Sequence, residues 1–443
     1  MHLDSPAGTG RNGRRRSARM VFWAALAGVI LIALNFRGPI VAPSPILDLL
    51  QSELEMSVQA SGLLTALPIA CFGVISFLAL PLLRRGGPDQ AIAFCLAGIL
   101  AGTLLRSAGG TGFALAGTVL IGASIAVGNV LVPVIIRRDF PLAQVPLVTG
   151  IYTAAMNIGS MTTLILTAPL ADALGWRTAL AVWSALAIAA ALAWLRLVGW
   201  RDFVLGGARG NSARRNAAGT VPDTASRPAP ATPETPAQPP VWRRPVAWLL
   251  LVAFSGQAFS FYAVSTWLPT LLSDLLKLDP AAAGAGASLF QGPAIVGALA
   301  IPLLAGRLRT RSLLWLTVAA WAALPAGLLL APAWWAAWVT LGGIAQGAGI
   351  TVIFLILVRL GGSGRQAGQL SAMVQGGGYL VAAAGPVALG SLHDLSGGWT
   401  VPLLACCVSI AALFVAGSIA AAASDGTAET KTGKQSARQA KNA

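Results

Sequence analysis

Arg227-Pro-Ala-Pro-Ala-Thr-Pro-Glu-Thr-Pro-Ala-Gln-Pro-Pro240 is the stretch on which the fold turns. Proline at six of its fourteen positions keeps it extended and coreless, the behaviour of a linker. It lies within 199–243, the one long hydrophilic stretch between apolar blocks. Before it, runs free of Asp, Glu, Lys and Arg cover 20–36, 56–83, 90–105, 107–136, 140–171 and 178–195. After it they cover 245–273, 280–306, 312–358, 366–393 and 395–424. The 47-residue run 312–358 is too long for one membrane crossing, and Ala331-Pro332-Ala333 supplies a turn within it. The linker therefore divides twelve helices six and six.

Composition supports membrane helices over any soluble fold. Of 443 residues, 56% are hydrophobic and 10% charged, with mean hydropathy +0.73. A soluble domain carries about 25% charged residues, so an ordinary soluble enzyme is excluded. A transmembrane helix needs roughly 20 apolar residues, whereas a membrane strand needs about ten of alternating character. These Leu/Ala-rich runs fit only helices. The expected fold is an all-α polytopic membrane protein of twelve transmembrane helices in two six-helix halves. Its divisions are a basic, disordered N-terminus (1–19), a first half (20–198), the linker (199–243), a second half (244–423) and a disordered tail (424–443).

The net charge of +15 would suggest nucleic acid in a soluble chain. Here the basic residues fall between apolar blocks and act as topology signals, so no nucleic-acid partner is expected. With a cytoplasmic N-terminus, one face collects Arg11–Arg19, Arg84, Arg85, Arg137, Arg138, Arg196–Arg244, Arg307–Arg311, Arg359, Arg365 and the basic tail. The other face holds only Arg106, Arg177 and Lys277. The positive-inside rule then puts both termini in the cytoplasm, in a bacterial inner membrane. Arg14-Arg15-Arg16-Ser17 resembles a secretory signal, but the apolar run outlasts a signal core and reads as an uncleaved first helix.

The halves resemble each other. Pro43 and Asp48 match Pro269 and Asp274 at an offset of 226. Gly122, Gly128 and Arg138 match Gly343, Gly349 and Arg359 at an offset of 221. Two colinear matches around a linker point to a duplicated six-helix unit, a design common in secondary transporters with mid-membrane sites.

This organisation resembles the major facilitator superfamily over nearly the whole chain. Leu34-Asn35-Phe36-Arg37, Gly62-Leu-Leu-Thr-Ala-Leu-Pro68, Arg106-Ser107 and Gly128-Asn129-Val-Leu-Val-Pro133 running on to Arg138-Asp139-Phe140-Pro141 are similar to the cyanate and 2-nitroimidazole transporter family. That likeness implies transport of a small anion or small polar heterocycle by alternating access. The loop Leu83-Arg84-Arg85-Gly86-Gly87-Pro88-Asp89 departs from the superfamily's usual Gly-x-x-x-Asp-Arg-x-Gly-Arg-Arg. The gating contacts of relatives are therefore not carried over.

The sequence holds no enzyme constellation, nucleotide loop or metal spacing, and no cofactor is expected. Cys71, Cys95, Cys406 and Cys407 sit inside apolar runs and read as packing. Arg37 stands out, because an Arg near the bilayer centre costs roughly 2.5–3.5 kcal/mol on insertion scales. Every Asp and Glu falls at a helix end, in a loop or in a tail. Arg37 is thus either completed by an anionic or polar substrate through its planar fork, or it caps carbonyls freed by Pro39, Pro43 and Pro45.

Asn35, Asn157, Gln257, Tyr262, Gln291, Gln346, Gln375 and Tyr379 fall near the middle of their helices and are the other candidate substrate residues. Each is either a substrate contact or an interhelical hydrogen bond. Asn129 reads as structural, and Met156, Met161 and Met373 read as packing. Arg138 and Asp139 are gate candidates. Arg106 joins them as an interfacial cation that snorkels or draws anions to the entrance. The expected partners are a small-molecule substrate, the lipid bilayer and protons as a coupling ion, with the chain acting as a monomer. The competing function is a drug or toxic-compound exporter of the same fold, whose cationic substrates would want an intramembrane carboxylate.

Overall fold

Long runs of Leu, Ala, Ile and Val can satisfy their backbone groups in a bilayer only by coiling, because no N–H or C=O finds water there. The computed structural model describes residues 9–75, 79–141, 144–199, 240–361 and 364–442. It contains twelve apolar helices of membrane length. The first six are α1 (Phe22–Leu54), α2 (Val58–Ile75), α3 (Pro88–Ala108), α4 (Thr111–Asp139), α5 (Leu147–Leu174) and α6 (Trp176–Val198). The second six are α7 (Pro245–Leu276), α8 (Pro280–Leu304), α9 (Thr310–Leu330), α10 (Pro332–Leu360), α11 (Gln366–Ser396) and α12 (Thr400–Gly426). The expected turn at 331–333 separates α9 from α10 as a short 3-10 segment, Pro332–Trp334. The proline-rich stretch 200–239 lies outside the described residues, as do the side chains of Arg84 and Arg85.

Two of the predicted ends differ in the structure. Helix begins at Thr9, ahead of α1, and continues beyond α12 to Asn442. Disorder was the expectation for 1–19 and 424–443. Extending an existing helix fixes one residue per added hydrogen bond, and Arg, Lys, Ala and Gln are good helix formers. An established helix therefore propagates into a polar segment that would not nucleate one alone.

Proline shapes α1. The helix stops at Val41, passes through a 3-10 turn at Ser44–Ile46 and resumes at Leu47–Leu54. Pro43 and Pro45 each withdraw an N–H from the carbonyl four residues earlier, which opens the ladder here. In α8, Gly292 and Pro293 make a similar interruption between Pro280–Gln291 and Ala294–Leu304.

Glycines set the close crossings, and they do so twice. On α4, Gly122 lies against Pro68 of α2, and Gly128 against Phe36 of α1 and Cys95 of α3. On α10, Gly343 lies against the carbonyls of Leu289 and Phe290 in α8, where an added Cβ would come within 2.9 and 2.8 Å. Gly349 lies against Gln257 of α7. The fourth helix of each half thus uses equivalent glycines, 221 residues apart, to approach the second and first helices of its own half. The duplication suggested by spacing is present in the packing.

The halves meet at the end away from the linker. Gly62 of α2 faces the backbone of Pro386 and Val387 in α11, and Gly390 of α11 faces Val58. Gly284 of α8 sits on the Leu164 carbonyl of α5 and beside Pro45. Thr266 donates to Thr65 across the interface at 2.8 Å, and Gln59 reaches Asp394 at 3.4 Å. This end is closed.

Candidate functional site

Between the halves lies a cavity of about 590 Å³. Its wall is drawn from α1, α2, α4 and α5 of one half and α7, α8, α10 and α11 of the other; among the described residues α3, α6, α9 and α12 supply none of it. The lining reaches Thr149 and Gly150 near the start of α5 and Leu299 and Pro302 near the end of α8. Both are linker-end positions. The cavity therefore faces the linker end while the opposite end is sealed.

Arg37 projects into this space. The preceding turns of α1 bury Ile32, Ala33 and Phe36 against their own half and leave the guanidinium half-exposed to the cavity. Its Nη1 donates to Asn157 Oδ1 of α5 at 2.7 Å. Its other neighbour comes from the opposite half, since the guanidinium carbon stands 5.4 Å from the Phe261 ring centre. Phe261 stacks on Phe290, and Phe290 on Trp321, at 5.9 and 5.6 Å. Among the described residues the wall contains no Asp, Glu, Lys or His, so Arg37 is its one charge. Of the carbonyls freed by the prolines, that of Pro39 is capped by another arginine. Arg106 donates to Pro39 O at 2.6 Å.

The other candidates separate cleanly. Asn157, Gln257, Tyr262 and Gln291 line the same cavity as Arg37, and so do Gln346, Gln375 and Tyr379. Asn35 does not. It is fully buried, and its Nδ2 donates to the carbonyls of Leu31 and Leu186, which turns it toward α6. Two residues along a helix are about 200° apart, so Asn35 and Arg37 cannot share a face. Several polar atoms of the wall have no hydrogen-bond partner among the described residues: Ser160 Oγ, Gln257 Oε1, Gln291 Oε1 and Gln346 Nε2. Unpartnered buried polar atoms are costly, and these four lie just behind the cavity surface rather than on it.

Some wall residues were not anticipated. Asn129, expected to be structural, lines the cavity and accepts from Tyr152 at 3.3 Å. Met156, expected to be packing, also lines it, as do Ser160 and Ser265. Phe72 and Phe254 hold Tyr379 edge-on at 5.6 and 5.1 Å. The protein has three tyrosines, and all stand in or directly behind this wall. That scarcity was the available signal for Tyr152.

Arg106 is not an interfacial cation. It is 1% exposed inside the first half, where Gly117 of α4 packs on its backbone. At the linker end, Arg138 forks onto Asp89, with Nη1 and Nη2 at 2.7 and 2.9 Å from its two oxygens. Its Nε donates to Asp139 at 2.6 Å. Asp89 is thus the loop residue that keeps an ionic role even though the surrounding pattern is scrambled.

The second half rebuilds this latch with different parts. Arg359 stands 221 residues after Arg138, and Thr310 stands 221 after Asp89. Arg359 donates to the Thr310 hydroxyl. The carboxylate comes instead from Asp425 at the end of α12, which accepts from Thr310 Oγ1 at 2.5 Å and lies 3.6 Å from Arg359. Hydrogen bonds to charged groups contribute about 1.5–3 kcal/mol. Asp89→Asn is therefore expected to lower unfolding free energy by about that amount, read by thermal melting of purified protein. An unchanged melting curve would mean that the pair is fully screened by solvent.

Comparison with known proteins agrees with this architecture. A Major Facilitator Superfamily model matches residues 25–360. The 2-nitroimidazole transporter of Escherichia coli (strain K12) is 32% identical over 393 residues, covering 88% of this chain and 93% of that protein. The cyanate transport protein CynX of the same organism is 25% identical over 374 residues, covering 84% and 90%. Among solved structures, the inward-open conformation of the E. coli xylose transporter XylE matches with a TM-score of 0.66. It covers 89% of this chain and 95% of its own at 11% identity, a likeness of fold alone.

Proposed function

This chain belongs to the Major Facilitator Superfamily, an integral membrane transporter of small solutes rather than an enzyme, and on that premise we propose that its solute is a small anion or polar organic molecule held by Arg37. The observation that carries this reading is the solitary charge. A half-exposed guanidinium stands in a wall of carboxamides, hydroxyls and rings, with a neutral Asn157 as its hydrogen-bonded partner. A solute with a carboxylate-like or nitro-like edge completes it through a planar fork. The cavity volume lies within the range that accommodates small organic ligands. The names of the two relatives, a cyanate transporter and a nitroimidazole transporter, fit a solute of this kind.

The halves rock about this site, opening one end and closing the other. Both termini face the cytoplasm of a bacterial inner membrane, so the cavity faces inward in this state. Arg138 and Asp139, with Asp89, tie α3 to α4 beside the cytoplasmic gate, so that this edge of the first half moves as a unit. The transporter works as a monomer. The described wall offers no Asp or Glu of its own to carry a coupled proton. The same lack disfavours an exporter of cationic drugs.

A thermal-shift panel tests the reading. It compares cyanate, small carboxylates, 2-nitroimidazole and hydrophobic cations with the purified protein. A ligand at 100 times its Kd stabilises the folded state by about 2.7 kcal/mol, enough to read. Stabilisation by anions or polar heterocycles is expected. Stabilisation by bulky cations alone would replace the proposal with the exporter.

A further inference from the structure

Pro39 has a carbonyl with no helical donor, because the residue four positions on is Pro43 and carries no N–H. Arg106, from α3, occupies that vacancy, with Nη1 2.6 Å from Pro39 O. The rest of the guanidinium is unsupported: Nε and Nη2 are buried and have no hydrogen-bond partner among the described residues. No carboxylate among those residues pairs with it. A buried charge held by one peptide oxygen is expensive, and replacing such groups with apolar side chains is often neutral or stabilising. The contact is therefore a poor source of overall stability, and its effect falls on α1.

Pro39 lies two residues beyond Arg37, so it is turned about 200° away, toward the body of the first half. The proline-broken segment from Pro39 to Ile46 also touches the sealed end, where Pro45 lies beside Gly284. We propose that Arg106 is a positioning residue. It returns to Pro39, from a neighbouring helix, the hydrogen bond that Pro43 removes, and this fixes the rotation of α1 that aims Arg37 into the cavity. The consequence for solute binding rests on the anion reading of Arg37, whereas the brace on α1 does not.

Because the missing donor has a known cause, it can be put back. Pro43→Ala restores an N–H four residues after Pro39 and should make Arg106 dispensable. Two readouts need no ligand. One is amide hydrogen exchange over residues 40–47 of the full-length protein. The other is the reaction rate of Arg37→Cys with a charged methanethiosulfonate added from the cavity side. Arg106→Leu is expected to speed exchange and to slow thiol modification, each by about tenfold, the equivalent of one hydrogen bond to a charged group. Its melting temperature should be unchanged or raised. Adding Pro43→Ala should bring both readouts most of the way back, and Arg106→Lys, which keeps one donor, should fall between.

Exchange and modification unchanged in Arg106→Leu would overturn the proposal, as would failure of Pro43→Ala to restore them. If Arg106→Leu does not fold, the double variant should, and its misfolding would likewise count against the brace. Cyanate in the thermal-shift assay separates the two readings. A full exchange cycle with no anion stabilising the parent protein leaves the brace and removes the anion anchor. Cyanate stabilisation lost in Arg37→Gln but intact in Arg106→Leu does the reverse.

Discussion

Arg37→Gln is expected to abolish anion-dependent stabilisation and uptake while the protein still inserts and melts as the parent does. Glutamine keeps a donor for Asn157 and roughly keeps the volume, so the loss isolates the charge. A charge-assisted fork contributes about 1.5–3 kcal/mol, and each 1.4 kcal/mol is a factor of ten. Apparent affinity should therefore fall by about tenfold to a hundredfold. Arg37→Lys should recover only part of this, because an ammonium is a point charge without the planar pair of donors. The measurement is a titration of each variant with whichever anion stabilises the parent, followed by counterflow in liposomes. Undiminished transport by Arg37→Gln would end the proposal that Arg37 holds the solute.

Gly62→Leu combined with Gly284→Leu should prevent the end opposite the linker from closing, and net transport should fall at least about tenfold. At Gly62 an added Cβ would sit 3.1 Å from the Pro386 carbonyl and 3.2 Å from Val387 Cα. At Gly284 it would press on the Leu164 carbonyl. Both obstacles are backbone across the interface and cannot rotate away. Overpacking of this kind costs about 1–3 kcal/mol per site, and here it can be relieved by parting the halves. Binding from the far side should persist, which distinguishes a locked gate from a misfolded protein. Gln59→Cys with Asp394→Cys, where the native side chains are 3.4 Å apart, supplies a crosslink that forms in the parent background and should not form in the glycine variants. Efficient crosslinking in both would show that the seam tolerates the bulk.

Much of this architecture was legible because hydropathy reports depth. Apolar runs placed twelve helices, and polar residues at the middle of those runs marked Arg37, Asn157 and the glutamines that share one cavity. Azimuth was not legible. Lipid tails are as apolar as a protein core, so a membrane helix shows little difference between the face it buries and the face it exposes. Asn35 and Arg37 lie at almost the same depth, yet one turns to α6 and the other to the cavity. Asn129 and Met156 reach the wall by the same uncertainty in reverse. Arg106 was misread for a different reason. Its run looked short, which put the charge at an interface, and its partner is a carbonyl exposed by a proline in another helix. No spacing within α3 reveals that. Asp425 was missed because it lies in what reads as a polar tail.

The two linker-end latches also differ in chain separation. Arg138 meets Asp89 within 49 residues, inside α3 and α4. Thr310 and Arg359 draw their carboxylate from Asp425, 115 residues after Thr310 and in the last helix. Domains generally form in order as the chain is synthesised. During synthesis the first half can neutralise its arginine as soon as its fourth helix emerges, with two helices of that half still to come. The second half must hold Arg359 without this carboxylate until α12 has been made, so it becomes electrostatically complete later in its own synthesis than the first half does.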